Sequence, residues 1–179
     1  MRMFAGGLAA RGCDAMTFNF LYTERGRRFP DPKAKLESCY QAVIEATRGH
    51  KKLKTNRLVI GGKSMGGRIG SQVAAAGAGD IAGLVFFGYP LHPPGRPDQL
   101  RAEHLKDIRA PMLFVQGSRD AFGTPDELRA VIKKFRLPAT LYEVEGGDHS
   151  FKVPKSVTTP QQQVYEAVMD ETAHWLRLK

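Results

Sequence analysis

The sequence predicts an α/β fold, a mostly parallel sheet with helices on both faces. Three observations carry this reading. Short apolar runs alternate with longer segments whose apolar residues recur at helical spacing, the order in which parallel strands and crossover helices follow one another. One run, residues 83–88 (GLVFFG), is apolar throughout, as strands covered on both faces are. Finally, 179 residues with 42% hydrophobic content make one domain able to bury a core without disulfide or metal staples.

Residues 1–10 read as the end of a helix, with Met3, Phe4 and Leu8 on one face, Arg11 in the last turn and Gly12 as the stop. The apolar run there is too short, and too interrupted by glycine, for an export signal. Residues 13–20 (CDAMTFNF) predict a strand, ended by a charged loop over 23–28. Asp31 as N-cap and Pro32 in the first turn open a helix striped by Leu36, Tyr40, Val43 and Ile44. Residues 57–60 predict a short buried strand running into GGKSMGG, and Ile69, Val73, Ala74 and Ala76 mark the helix behind it. After the GLVFFG strand come a proline-rich segment (89–97) and a helical turn (98–106). Residues 111–116 form another apolar strand. Thr124, Pro125 and Glu127 spell a capping box with a first-turn proline, opening a helix striped by Leu128, Val131, Ile132 and Phe135. Residues 139–144 predict a further strand, and Pro160 opens a last helix carrying Val164, Val168, Trp175 and Leu176. No repeat or linker interrupts the pattern, so residues 1–179 are expected to be a single domain.

Composition excludes several function classes. The chain carries 27 Lys and Arg against 18 Asp and Glu, a formal net charge of +9. Its basic residues are scattered, and the densest stretch (Arg48, Lys51, Lys52, Lys54, Arg57) sits at a helix end without interleaved aromatics. That pattern is a solvated basic face complementing a helix dipole, not a nucleic-acid groove. No 18-residue apolar run is present, so no membrane span is expected. Cys13 and Cys39 are too few for a disulfide framework and have no metal-ligand spacing. A reducing, cytoplasmic location with no metal and no cofactor is the expectation.

The chemistry concentrates at Gly62-Lys63-Ser64-Met65-Gly66, which matches G-x-S-x-G between a predicted strand and a predicted helix. In that motif the serine occupies a strained turn that lifts its hydroxyl clear of the sheet, and side chains two positions either way are expected to collide. The N–H of Met65 can then face a developing oxyanion. A phosphate loop ending in GKS is excluded, because Arg57 stands where its first glycine is needed. A serine hydroxyl needs a base, and the base an orienting acid. Asp120 follows the strand ending in VQ, and His149 follows the strand ending in EV. Both lie beyond strand C-termini on the edge that carries Ser64, where open α/β sheets hold their sites. Asp148 is a weaker acid candidate, since adjacency turns its side chain away from His149. His50 and His174 read as surface residues. His92 and His104 flank the proline-rich segment, His92 as a candidate lining residue.

With Ser64, Asp120 and His149 in that order, the chain resembles an α/β-hydrolase, and more closely the small bacterial proteins of the dienelactone-hydrolase-like group. The stretches FNFLYTERGRRFPDP, GGKSMGGRIGSQVAA, GYPLHPPGRP, LFVQGSRDAFG and VEGGDHSFKVP carry the resemblance across residues 18–154. It implies a serine hydrolase with those three residues as a triad, although dienelactone hydrolases proper have cysteine where this chain has Ser64. It also implies eight strands, with residues 13–20 as the fourth and the third seated between the fourth and fifth. The loop after that third strand usually supplies a second oxyanion N–H, and no such motif is present. The expectation is therefore an N-terminally truncated fold with a gap, or a repair, beside the strand at 57–60. One lost oxyanion donor costs on the order of 10²–10³ in turnover.

The expected function is hydrolysis of an ester, thioester or lactone of a small molecule through an acyl-enzyme. The alternative is a catalytically impaired interaction protein, or a fragment of a longer hydrolase. Tyr22, Arg27, Arg28, Lys63 and His92 are the candidate substrate rim, whose positive charge would favour a carboxylate-bearing substrate. A homodimer through the incompletely paired sheet is the partner expectation.

Overall fold

The computed structural model describes residues 1–53 and 57–177. Among them the sheet has four strands, all parallel, in the spatial order β1-β2-β3-β4. These are β1 (Val59–Lys63), β2 (Gly83–Phe87), β3 (Met112–Gly117) and β4 (Ala139–Val144). The helices are α1 (Arg2–Ala9), α2 (Leu21–Glu24), α3 (Lys33–Gly49), α4 (Met65–Ala75), α5 (Pro125–Phe135) and α6 (Gln161–Arg177), with a 3₁₀ turn at Glu103–Asp107.

Neighbouring strands are consecutive in sequence, so right-handed crossovers place the connecting helices α4 and α5 on one face. They join α3 there, where Leu36, Tyr40, Ile44, Ile69, Val73, Leu128 and Val131 cover Leu84, Phe86, Met112 and Phe114. The other face has no crossover of its own and is covered by the first and last helices. Phe4 of α1 and Val164, Val168, Met169 and Trp175 of α6 pack on Val85, Phe87, Leu113 and Val115. Alternate residues of β2 and β3 thus enter opposite cores, which is why GLVFF has no polar position. The capping box forms as the sequence predicts. Thr124 Oγ1 accepts from the Glu127 N–H at 3.3 Å, and Glu127 Oε2 accepts from the Thr124 N–H at 2.7 Å.

Three expectations are corrected. Residues 13–20 are not a strand: they run without secondary structure, Phe18 and Phe20 turning onto the Tyr40 ring at 5.1 and 6.4 Å. A strand exists only through a ladder partner, and no strand among the described residues pairs with this segment. Asp31 does not cap α3, because Pro32, in extended conformation, holds the N-cap position itself. The Asp31 carboxylate instead accepts from Arg27 at 2.6 Å and faces Lys35 at 3.4 Å, and these cations hold it below the usual carboxylate range against the opposing effect of desolvation. The strand expected at 57–60 continues through Gly61 and Gly62 to Lys63. Lys54 of the basic stretch lies outside the described residues.

The gap anticipated beside this strand is present. Among the described residues β1 pairs with β2 alone. Along its other side runs a cavity of about 830 Å³ between β1, residues 12–18, α3 and α6. A side chain partly replaces the missing neighbour: Tyr40 Oη donates to the Gly61 carbonyl at 2.6 Å and accepts from the Gly61 N–H at 3.0 Å. Burial pushes that phenol up to about 12.

Candidate active site

Ser64 links β1 to α4 in a conformation that L residues rarely adopt, with φ 53° and ψ −125°. Such backbone costs on the order of 1–3 kcal/mol and persists where the surroundings impose it. Here the Ser64 N–H donates to the Phe87 carbonyl at 3.1 Å, anchoring the turn to β2. The steric requirement holds at the first glycine of the motif but not at the second. A Cβ at Gly62 would lie 3.0 Å from the Gly66 and Gly67 backbone, and one at Gly67 only 2.6 Å from the Gly62 oxygen. One at Gly66 would meet nothing within 4 Å. Gly62 and Gly67 are therefore the crowded pair. The Met65 N–H belongs to the first turn of α4, where backbone donors have no intrahelical partner.

The side chains singled out in β1, β3 and β4 loops come within bonding distance of one another. Ser64 Oγ lies 2.7 Å from His149 Nε2, and His149 Nδ1 lies 2.7 Å from Asp120 Oδ2. Asp120 is 1% exposed and is held on both oxygens. The Phe122 N–H donates to Oδ1 at 2.8 Å, and Gln116 Nε2 donates to Oδ2 at 2.8 Å. Such a carboxylate can only accept, so His149 donates from Nδ1 and keeps its Nε2 lone pair for the Ser64 hydroxyl.

Sequence reasoning missed two residues of this arrangement. Gln116, fully buried at the end of β3, also accepts from the Tyr89 N–H at 2.8 Å and donates to the Gly123 carbonyl at 2.7 Å. It locks the segments after β2 and β3 around Asp120. Its signal was a lone amide closing an otherwise apolar strand. Phe122 lies against the His149 ring, centroids 4.3 Å apart, and no sequence pattern announces that contact.

The rim candidates do not assemble as expected. Arg27 is engaged by Asp31, Arg28 is exposed, and Tyr22 stacks on Phe20 at 6.4 Å. His92 is buried with Nδ1 on the Pro93 carbonyl at 2.8 Å and Nε2 on Glu127 at 3.2 Å, so neither ring nitrogen is left for a ligand. Lys63 alone of the five is bonded into the His149 loop, donating to Ser150 Oγ at 3.0 Å. Burial lowers its pKa, against the attraction of Asp120 and Asp148. Asp148 is a turn former: Oδ1 accepts from the Ser150 and Lys152 N–H groups at 2.7 and 3.0 Å. His50 and His174 are exposed.

A second serine–histidine contact lies deeper along α4, with Ser71 Oγ 2.8 Å from His104 Nε2. Proton accounting gives it a different character. The Ser71 hydroxyl donates to the Arg68 carbonyl at 2.7 Å, so it accepts from His104, which is then a donor and not a base. Burial, with Arg68 and Lys33 nearby and Asp107 opposing, pulls His104 down to about 4. An unfolded histidine takes up its proton near pH 6.5, so stability is full above that pH and falls as pH drops towards 4. The loss is about 2 kcal/mol for this partly exposed ring. Denaturant titrations at neutral and mildly acidic pH check this: His104→Gln should flatten the acid loss, and an undiminished loss would refute the assignment.

A serine in a strained turn between a parallel strand and a helix, with an acid and a histidine beyond later strands on the same edge, defines the α/β-hydrolase class. The chain belongs to that family: the model of an alpha/beta hydrolase domain matches residues 1–177. Solved structures agree at the level of fold. A dienelactone hydrolase from Anabaena variabilis is 17% identical, with a TM-score of 0.74 over 98% of this chain and 77% of its own. An Agrobacterium tumefaciens protein of unknown function is 18% identical, with a TM-score of 0.72 over 98% of this chain and 74% of its own. An alpha-beta serine hydrolase homologue from Coxiella burnetii is 17% identical, with a TM-score of 0.63 over 84% of this chain. The match spans 62% of that homologue's length. No helix of the described residues is long and apolar enough to cross a membrane, and no group of three His, Cys, Asp or Glu among them could hold a metal ion.

Proposed function

We propose that the protein is a serine hydrolase that cleaves an ester, thioester or lactone of a small molecule through an acyl-enzyme. The observation that carries this reading is the unbroken relay from Ser64 Oγ through His149 to Asp120, each contact 2.7 Å. Ser64 Oγ attacks the carbonyl carbon while its proton passes to His149 Nε2, and Asp120 stabilises the resulting imidazolium. The carbonyl oxygen gathers the charge and accepts from the Met65 N–H. The bond to the leaving group breaks, and His149 returns the proton to the departing oxygen or sulfur. Water then gives its proton to His149 and attacks the acyl carbon, and Ser64 recovers its hydroxyl. A neighbour of the same fold is described as a dienelactone hydrolase and another as an esterase domain, which favours carboxylic-ester chemistry.

Labelling with a fluorophosphonate is the test. Stoichiometric modification of wild type, located on Ser64 by peptide mass and absent from Ser64→Ala, is expected. Unlabelled but folded wild type would sink the reading and leave an interaction protein that keeps the fold.

We also propose that a second copy pairs along β1, whose outer side borders the cavity. Sedimentation velocity should show a dimer that grows with concentration; a monomer throughout the high micromolar range overturns this.

A further inference from the structure

Three non-glycine residues have a positive φ among the described residues: Ser64, Arg136 at the C-cap of α5, and Phe151, two positions beyond His149. Phe151 has φ 62°, a left-handed conformation in which a bulky side chain is an outlier. Such strain persists only where the surroundings impose it. Here they do so from several sides. The Phe151 N–H donates to the Asp148 carbonyl at 2.8 Å, and the Asp148 N–H donates to the Lys152 carbonyl at 3.0 Å, closing a turn around His149 and Ser150. Gln161 Nε2 donates to the Phe151 carbonyl at 2.8 Å. The ring is fully buried, edge-on to Phe87 at 6.5 Å and to Phe4 at 6.1 Å.

Phe87 is also the residue whose carbonyl accepts from the Ser64 N–H at 3.1 Å. One residue of β2 thus reaches both loops: its carbonyl fixes the Ser64 turn, and its ring abuts the Phe151 ring of the His149 turn. Phe4 stacks on Phe87 at 5.0 Å, so α1 covers both rings. Lys63 and Ser150, the chain neighbours of Ser64 and His149, tie the two loops together a second time at 3.0 Å. The left-handed turn at Phe151 lets one short segment face two ways. Its ring enters the core under α1 and α6, while the imidazole two residues earlier stays on Ser64 and Asp120.

We propose that Phe151 is a positioning residue of the Ser64 centre: its buried ring, seated on the Phe87 that anchors the Ser64 turn, holds the His149 imidazole in line with the hydroxyl. The inference rests on the serine-hydrolase reading above. Phe151 has no polar side-chain group to offer a substrate, so it acts through His149. Misplacing such a group by about 1 Å costs about 10²-fold in rate.

The test compares Phe151→Ala, Phe151→Leu and Phe151→Gly with Val168→Ala, which trims the same core from α6. Each is labelled with a fluorophosphonate well below its own Tm. Phe151→Ala should label about 10–100-fold more slowly than wild type, and Phe151→Leu should be slowed by a smaller factor. Val168→Ala should label at the wild-type rate although its Tm falls. Phe151→Gly should melt above Phe151→Ala yet label no faster, because glycine relieves the backbone without restoring the ring. On an ester the loss should fall on kcat, with KM unchanged. Wild-type labelling by folded Phe151→Ala, or labelling that recovers with stability in Phe151→Gly, overturns the proposal and leaves Phe151 as packing alone. Should Phe151→Ala fail to fold, wild-type labelling by Phe151→Leu overturns it equally. A second readout needs no turnover: the low-field proton resonance of His149 Nδ1–H on Asp120. It should be sharp in wild type and Val168→Ala and broadened by exchange in Phe151→Ala. Equal sharpness in all three, or its absence from wild type, overturns the proposal. Unlabelled wild type would remove the hydrolase reading, while this resonance still decides whether Phe151 positions His149.

Discussion

Asp120→Asn is expected to cut turnover about 10⁴-fold while the protein stays folded. The reason lies in what surrounds the carboxylate. Oδ1 accepts from the Phe122 N–H, and Oδ2 accepts from both Gln116 Nε2 and His149 Nδ1. An asparagine has one oxygen to offer, so its NH₂ must meet a donor whichever way it turns. Turned towards Phe122 it opposes a backbone N–H, at a cost of about 1–3 kcal/mol for the unsatisfied pair. Turned towards His149 it drives the imidazole to accept at Nδ1 and carry its proton on Nε2, where it can no longer take the Ser64 proton. Steady-state kinetics and a denaturant titration of the same preparation read both effects. Turnover within tenfold of wild type would contradict the assigned role of Asp120.

The second prediction sets Ser64→Ala against Ser64→Gly. Both should lose turnover, by about 10⁶-fold if the hydroxyl is the nucleophile. They should differ in stability. Alanine keeps the Cβ that makes φ 53° unfavourable, whereas glycine occupies that region freely. The glycine variant should exceed the alanine variant by about 1 kcal/mol, or about 2–4 °C in Tm for a chain of this size. A glycine variant that unfolds first would mean that the turn stores no strain.

Much of the architecture is legible in sequence because it depends on local chemistry. The apolar runs of β2 and β3, the Thr124–Glu127 box and the Leu36–Tyr40–Ile44 stripe each state their own environment. Ser64, Asp120 and His149 are legible as candidates because each follows the C-terminal end of a strand. What escapes is whatever depends on a distant partner. Residues 13–20 have strand composition but no ladder neighbour among the described residues, so pattern alone misreads them. Asp31 looks like a cap until Arg27 and Lys35 compete for it. The motif names Gly66, whereas the packing makes Gly67 the tight position, because only its Cβ would strike the Gly62 oxygen and Phe86.

The way the first and last helices share one face bears on how the protein is made. Arg11 reaches Glu166 and Asp170, 155 and 159 positions further on, at 2.7 Å each. Phe4 meets Tyr165 edge-on at 5.9 Å, and Gly7 admits the Met169 side chain. During translation at about 5–20 residues per second, α1 emerges roughly 8–30 s before α6 exists. Over that interval the four strands and the opposite helical layer can assemble, while Phe4 and the inner side of β2 and β3 stay uncovered. Stalls within α6 would therefore leave chains in which β1 to β4 can pair while one apolar face lacks its α6 cover, the form on which holdase chaperones act.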